Sequence, residues 1–234
     1  MNSGWGPTLR FGRPAEVKTL AEATLFRIRR DIISGTLAPG SKIKSDHLRE
    51  RYDVGISPLR EALFQLVSEG LVRADGQRGF RVSGTSRDDL IDVTNWRMKL
   101  ECEAIELAIL HGDKAWEERC VSALRRLTDT ETDPRLTEPE RANQWETVHR
   151  EFHFSIYEAC GSAWLLRFCE LLSAQSERYR RLYVKYDKID SVIVNEHSEL
   201  LEAVLQRQGE KASALLRHHI QRASQLAAAQ FSQA

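Results

Sequence analysis

The sequence predicts a mainly α protein in two parts: a three-helix unit closed by a β-hairpin, then an all-α bundle of six helices. Three observations predict it. Apolar residues recur at helical spacing through residues 19–70 and again from residue 87 onward. Residues 71–83 instead read as two short apolar-polar runs around a glycine-bearing turn. The small polar link Gly84-Thr85-Ser86 separates the two patterns.

The first helix runs from about Thr19 to Ser34, with Leu25, Ile28, Ile32 and Ile33 as its apolar stripe, and Gly35 and Pro39-Gly40 end it. A short helix opens at Ser45, expected as its N-cap, and turns Leu48 and Tyr52 inward. After the tight turn Val54-Gly55-Ile56, Ser57 is expected to cap a third helix with Pro58 at its first position. Leu59, Ala62, Leu63, Leu66 and Val67 give its buried face, and Gly70 stops it. Leu71–Ala74 and Phe80–Ser83 flank Asp75–Gly79 as a hairpin. Helix, helix, turn, helix and hairpin in that order make a winged helix-turn-helix. Beyond the link the predicted helices span 87–111, 114–130, 138–159, 162–184, 190–207 and 210–231, with Asp113, Thr137, Ser162 and Gly209 at the breaks. Short links between helices of this length predict a bundle.

The 234 residues suffice for one large or two small domains, and 41% hydrophobic with 29% charged residues describes an ordinary globular chain. Residues 1–18 read as a flexible polar tail, 19–84 as the first unit and 85–234 as the second. No apolar run approaches the roughly 18 residues of a membrane span. Met1–Pro14 has no signal-peptide core, so the expected location is the cytoplasm. A formal net charge of zero conceals an asymmetry: residues 1–84 carry 14 Lys/Arg against 9 Asp/Glu, and residues 85–234 carry 20 against 25. The front half is therefore the one suited to a polyanion. Cys102, Cys120, Cys160 and Cys169 form no CxxC pair and read as buried free thiols.

Four strings carry a family resemblance: Gly35-Thr36-Leu37-Ala38-Pro39-Gly40, Ser57-Pro58-Leu59-Arg60-Glu61-Ala62-Leu63, Glu69-Gly70-Leu71-Val72 and Gly79-Phe80-Arg81-Val82. They resemble the GntR family of regulators. The helical remainder is similar to its fatty-acid-regulator-like branch with the FCD effector domain, through Arg97 with Glu101, Phe152-His153, Glu196-His197 and His219. The whole is also similar to a subgroup of carbon-starvation regulators. The resemblance implies a DNA-binding homodimer, most often a repressor, that reads a pseudo-palindromic operator in double-stranded DNA.

The helix from Ser57 to Glu69 is the expected recognition helix, since its N-terminal turns would enter the major groove. Arg60 lies opposite Leu59, Leu63 and Leu66 and reads as a guanine or phosphate contact, or else as a partner of nearby acids. Ser57 reads as a phosphate donor as well as a cap. Gln77-Arg78-Gly79 is the wing tip, placed to enter the flanking minor groove. Some relatives carry a basic residue where this chain has Asp46; Arg49, Lys42 and Lys44 are the nearby substitutes.

His149 and His153 are four apart on one helix and share a face, which is the spacing two imidazoles need to hold one metal ion. His197 and His219 lie 12 and 10 residues either side of the Gly209 break, so an antiparallel hairpin sets them side by side. The resemblance implies a divalent ion held by an Asp and three His residues. Here His153, His197 and His219 match the histidines and His149 stands at the Asp position. An all-imidazole set suits Zn, or Ni, better than Mg or Ca, and leaves more positive charge for a carboxylate to balance. The expected effector is a small carboxylate, a dicarboxylate on the subgroup resemblance. Arg97 reads either as its guanidinium partner or as an i,i+4 ion pair with Glu101; Arg178 and Tyr179 are further candidates for that pocket.

Two other functions compete. A metal-dependent hydrolase needs HExxH, but Arg150 follows the first histidine and Glu151 sits about 200° round the helix from it. A DNA-binding protein whose bundle only dimerises would carry the same histidines without a metal.

Overall fold

A computed structural model describes residues 19–76, 79–133, 135–183 and 191–230. The N-terminal unit starts with α1 (Leu20–Ile33), whose capping box joins Thr19 Oγ1 to Glu22 N at 3.1 Å and Thr19 N to the Glu22 carboxylate at 3.2 Å. Strand β1 (Lys42–Ile43) follows, then α2 (Ser45–Tyr52), α3 (Ile56–Ser68), β2 (Val72–Ala74) and β3 (Phe80–Val82). The strands form one antiparallel sheet in the order β1-β3-β2, with Ile43 opposite Phe80 and Val72 opposite Val82. Strand β1 was not expected: two residues are too short to show an alternating pattern.

Both expected serine caps are corrected. Lys44 is the N-cap of α2 and Gly55 that of α3, neither with a side-chain bond, so Ser45 is a first helical residue and Ser57 a second. Pro58 thereby takes the third position, where its missing N–H costs nothing because no first-turn N–H has an intrahelical acceptor. The core of this unit is Ile28, Ile32, Leu48, Leu59, Leu63, Leu66, Leu71 and Val82. A buried ion pair, Arg29 with Glu69, ties α1 to the end of α3.

The C-terminal unit holds α4 (Arg87–His111), α5 (Lys114–Thr132), α6 (Glu138–Tyr157), α7 (Ala163–Tyr183), α8 (Ser191–Leu205) and α9 (Gly209–Gln230). Ser86 Oγ caps α4 by accepting from Asp89 N at 3.1 Å, and Asp113 caps α5 through Trp116 N at 2.8 Å. Helix α4 packs against α9, α7 and α6, while α5 packs on α6 and α8 on α9. Ile105, Trp116, Leu127, Phe152, Ile156, Val204 and Leu216 lie in its separate core. Trp116 Nε1 donates to the Ser155 carbonyl at 2.7 Å, which satisfies the indole in an otherwise apolar site. All four cysteines are free and buried, and burial pushes the Cys120 thiol up to about 12, out of reach of thiolate chemistry. Among the described residues no helix is long and apolar enough to cross a membrane.

Candidate metal centre and DNA-reading face

Helix α6 supplies His149 and His153, α8 supplies His197 and α9 supplies His219. One nitrogen from each ring lies within 4.8 Å of those of the other three, and all four residues are buried. Their Nε2 atoms meet at 3.1 Å between His149 and His153. The hairpin geometry read from Gly209 holds: the rings of His197 and His219 have centroids 4.7 Å apart. His218, next to His219 in sequence, faces outward.

A shell of polar groups orients these rings. Glu196 Oε2 lies 2.8 Å from His219 Nδ1 and its other oxygen 3.0 Å from Arg222 Nε. His197 Nδ1 stands 4.0 Å from Glu131, a carboxylate that also accepts from Trp145 Nε1 at 2.9 Å. Trp145 stacks on His149 at 4.2 Å between centroids. The sequence reading missed Glu131, Trp145 and Arg180. Glu196 had been noted, but only as part of the family string.

Two guanidiniums lie beside the chamber, each clasped by a carboxylate. Arg97 donates to Glu101 at 2.7 and 3.1 Å and to Ser176 Oγ at 2.8 Å. Arg180 donates to Glu146 at 3.0 and 2.8 Å and to Ser176 Oγ at 3.3 Å. Of the two readings left open for Arg97, the structure displays the ion pair. Its neighbour Trp96, by contrast, is half exposed beneath Lys99.

Burial is the main cause that holds all four imidazoles below their ordinary pKa, well below for His149, His153 and His197. Neighbouring imidazoles, Arg97, Arg180 and Arg222 add to it in different combinations. Neutral rings with lone pairs turned toward one another are the protonation state a cation requires. Nδ1 of His149 and of His153, and both nitrogens of His197, make no hydrogen bond among the described residues. Buried imidazoles left so are costly in a bare bundle. A cation held by the facing Nε2 atoms of His149 and His153 would also give His197 the partner it lacks, so the residues present fit a metal ion.

Arg178 and Tyr179 do not join this chamber. Arg178 donates to the Ser83 carbonyl, and Tyr179 Oη donates to Asp89 at 2.5 Å and accepts from Ser86 N at 3.2 Å. Both sit where the two units meet. Arg150 is drawn to Glu177 at 2.5 Å, and Glu151 pairs with Arg126 of α5 at 3.2 Å, so the carboxylate nearest the first histidine in sequence points away from the chamber.

On the DNA-reading face, Ser57 and Arg60 are exposed on one stripe of α3 while Leu59, Ala62, Leu63 and Leu66 are buried on the other. The Arg60 guanidinium lies 6.0 Å from the ring of Phe64, which packs edge-on to Phe80 of β3. Arg49 is half exposed beside Asp46 at 3.6 Å. Gly79 takes φ +95°, a left-handed value that closes the wing through the Asp75 N to Gly79 O bond of 2.8 Å. Gln77 and Arg78 lie outside the described residues.

Comparison with known proteins agrees with this architecture. Residues 20–82 match the model of the bacterial regulatory proteins, gntR family, and residues 92–222 match the FCD domain. The chain is 41% identical over 207 residues to the HTH-type transcriptional regulator BphR of Paraburkholderia xenovorans, covering 88% of this chain and 84% of that one. It is 33% identical over 197 residues to the HTH-type transcriptional repressor GlaR of Escherichia coli, covering 82% and 89%. The solved structure of E. coli McbR/YncC superposes with a TM-score of 0.76 at 21% identity, over 91% of this chain and 99% of that one. These relatives are regulators and not enzymes, which removes the hydrolase. With a helix-turn-helix and wing at one end and an FCD domain at the other, the chain belongs to the GntR family of DNA-binding transcriptional regulators.

Proposed function

We propose that the protein is a cytoplasmic, homodimeric repressor whose grip on a pseudo-palindromic operator is set by a small carboxylate, a dicarboxylate by preference, bound at a metal site in the helical bundle. Residues 19–84 read DNA, with Ser57, Arg60, Arg49 and the wing tip Gln77-Arg78-Gly79 in contact. Residues 85–234 bind the effector and dimerise. Two relatives, GlaR and RspR of E. coli, are named as repressors.

The observation that carries the reading is the chamber of four buried, mutually close imidazoles, with both nitrogens of His197 left without a hydrogen bond among the described residues. His149, His153, His197 and His219 would hold the ion, with Glu196 orienting His219. An all-nitrogen set favours Zn, with Ni as the second candidate. The ligand atoms of the four rings lie within 4.8 Å of one another, so small ring movements would let them hold such an ion. When bound, the ion supplies positive charge for a carboxylate. Arg97 stands ready to exchange Glu101 for that carboxylate. Competition between an internal and an external anion gives the ligand the differential affinity it needs to shift a conformation.

Thermal unfolding of purified protein, zinc-loaded and chelated, against a panel of small carboxylates tests the proposal. A ligand at 100 times its Kd adds about 2.7 kcal/mol if it binds only the folded state. The expected result is a stabilising carboxylate whose effect vanishes on chelation. A protein indifferent to both zinc and chelator would sink the metal reading and favour a bundle that only dimerises.

A further inference from the structure

Helix α7 carries two faces with different partners. Gln175, Arg178, Tyr179, Leu182 and Tyr183 form one i, i+3, i+4, i+7, i+8 stripe. Every member of it meets the N-terminal unit or the link that leads from it. Gln175 Nε2 donates to the Glu69 carbonyl at 2.8 Å, at the end of α3. Arg178 and Tyr179 hold Ser83, Ser86 and Asp89, and the Tyr183 hydroxyl lies 2.7 Å from Thr85 Oγ1. Leu182 closes on Gly35, where an added Cβ would stand 2.7 Å from its Cδ2. Roughly 90° and 130° round the helix from the middle of that stripe, Ser176 and Arg180 turn toward different partners. Ser176 Oγ accepts from both chamber arginines, and Arg180 is clasped by Glu146 of α6.

The link between the units is therefore tied to α7 along most of its length, at residues 83, 85, 86 and 89. Arg178 is the unusual member. Its side chain is 1% exposed, yet it has no carboxylate within ion-pair distance among the described residues. Its Nε makes no hydrogen bond, and neither does Ser83 Oγ at the same junction. Burial disfavours its charge, and the attraction of Asp89 beyond ion-pair contact offsets this only in part, so the guanidinium is costly to keep. Its cost opposes the other contacts of the docked junction.

We propose that α7 transmits the state of the histidine chamber to the DNA-reading head, and that the buried guanidinium of Arg178, with no carboxylate in ion-pair contact, holds the docked head near balance with an arrangement in which it reaches water. This rests on the effector reading above, because that reading supplies the signal. A shift of Ser176 and Arg180 moves the neighbouring stripe of a rigid helix with it. A junction near balance then converts a small displacement into a change of head position, as two-state elements do.

Amide hydrogen exchange of the full chain, read on peptides covering 83–90, tests this in wild type, Ser176→Ala and Arg178→Met, each with and without Zn²⁺. Ser176 touches nothing in the head, and its bond to Arg97 lies about three turns along α4 from residues 83–86, so a structural role confined to the bundle leaves the exchange of 83–86 unchanged. Transmission predicts that Ser176→Ala shifts their exchange by about fivefold or more, the lower range of allosteric coupling. Arg178→Met should slow exchange there and abolish the response to Ser176→Ala; Arg178→Gln serves if the methionine variant fails to fold. Unchanged exchange in Ser176→Ala overturns the transmission. Faster exchange in the Arg178 variant, without its charge, overturns the balance and makes the arginine a simple latch. Calorimetric titration with Zn²⁺ keeps the two readings apart: no zinc uptake sinks the metal site, while the Ser176 comparison still decides the role of α7.

Discussion

Arg60 stands in the outward stripe of α3, with Phe64 below it and no carboxylate in ion-pair distance among the described residues. A guanidinium so placed is available to a base edge or a phosphate. Arg60→Ala should weaken specific binding by about 1–3 kcal/mol if the contact is to a base, and should leave the ratio of operator to scrambled DNA unchanged if it is to a phosphate. Competition between the two duplexes, selected first from a random pool, distinguishes the outcomes. Glu196 makes the corresponding case in the bundle. It accepts from His219 Nδ1 at 2.8 Å and so commits Nε2 of that ring to the chamber. Glu196→Gln removes the charge that strengthens the bond and should lower zinc affinity about 10–100-fold while the fold persists. An unaltered zinc isotherm would mean that the carboxylate serves only Arg222.

Among the elements, α1 and α7 meet where Gly35 ends the first helix at φ +79° against Leu182. An alanine there meets both an unfavourable left-handed backbone and the leucine methyl. Gly35→Ala should cost at least about 1–2 kcal/mol, and Leu182→Ala in the same chain should recover only the steric part; chemical denaturation of both variants checks this. The helices themselves were legible because each buries a long periodic stripe: α4 was read as 87–111 and is 87–111. What failed was local. Ser57 looked like a cap because serine caps well, but Gly55 already supplied the extended residue before the helix. Arg178 and Tyr179 were placed in the pocket, and Arg180 overlooked. Positions two apart lie about 200° round a helix, and the C-terminal half of α7, buried from Ser176 to Arg180, gives no exposed side to set its phase. Glu131 reaches His197 from α5, a contact no spacing along the chain announces.

At the scale of the molecule, two separate cores flank a junction, and the larger core contains a chamber that is polar, buried and built for neutral rings. That construction sets how the protein responds to acid. His149, His153, His197 and His219 are held below their ordinary pKa, chiefly by burial. Unfolded, they titrate near about 6.5. Below that pH the unfolded chain binds protons that the folded chain refuses, so the stability these rings contribute is complete above about pH 6.5 and is lost as the pH falls. Each ring adds up to about 1.4 kcal/mol per pH unit within this window. The chelated protein should therefore lose Tm between pH 7.5 and 5.5, on the order of 5 °C. Zinc-loaded protein should hold its Tm to lower pH and then fall more steeply, since protons must first displace the ion from four ligands at once. A chelated protein with the same Tm at both pH values would show that the imidazoles accept protons in the folded state as readily as in the unfolded one, and so that the chamber is open to water.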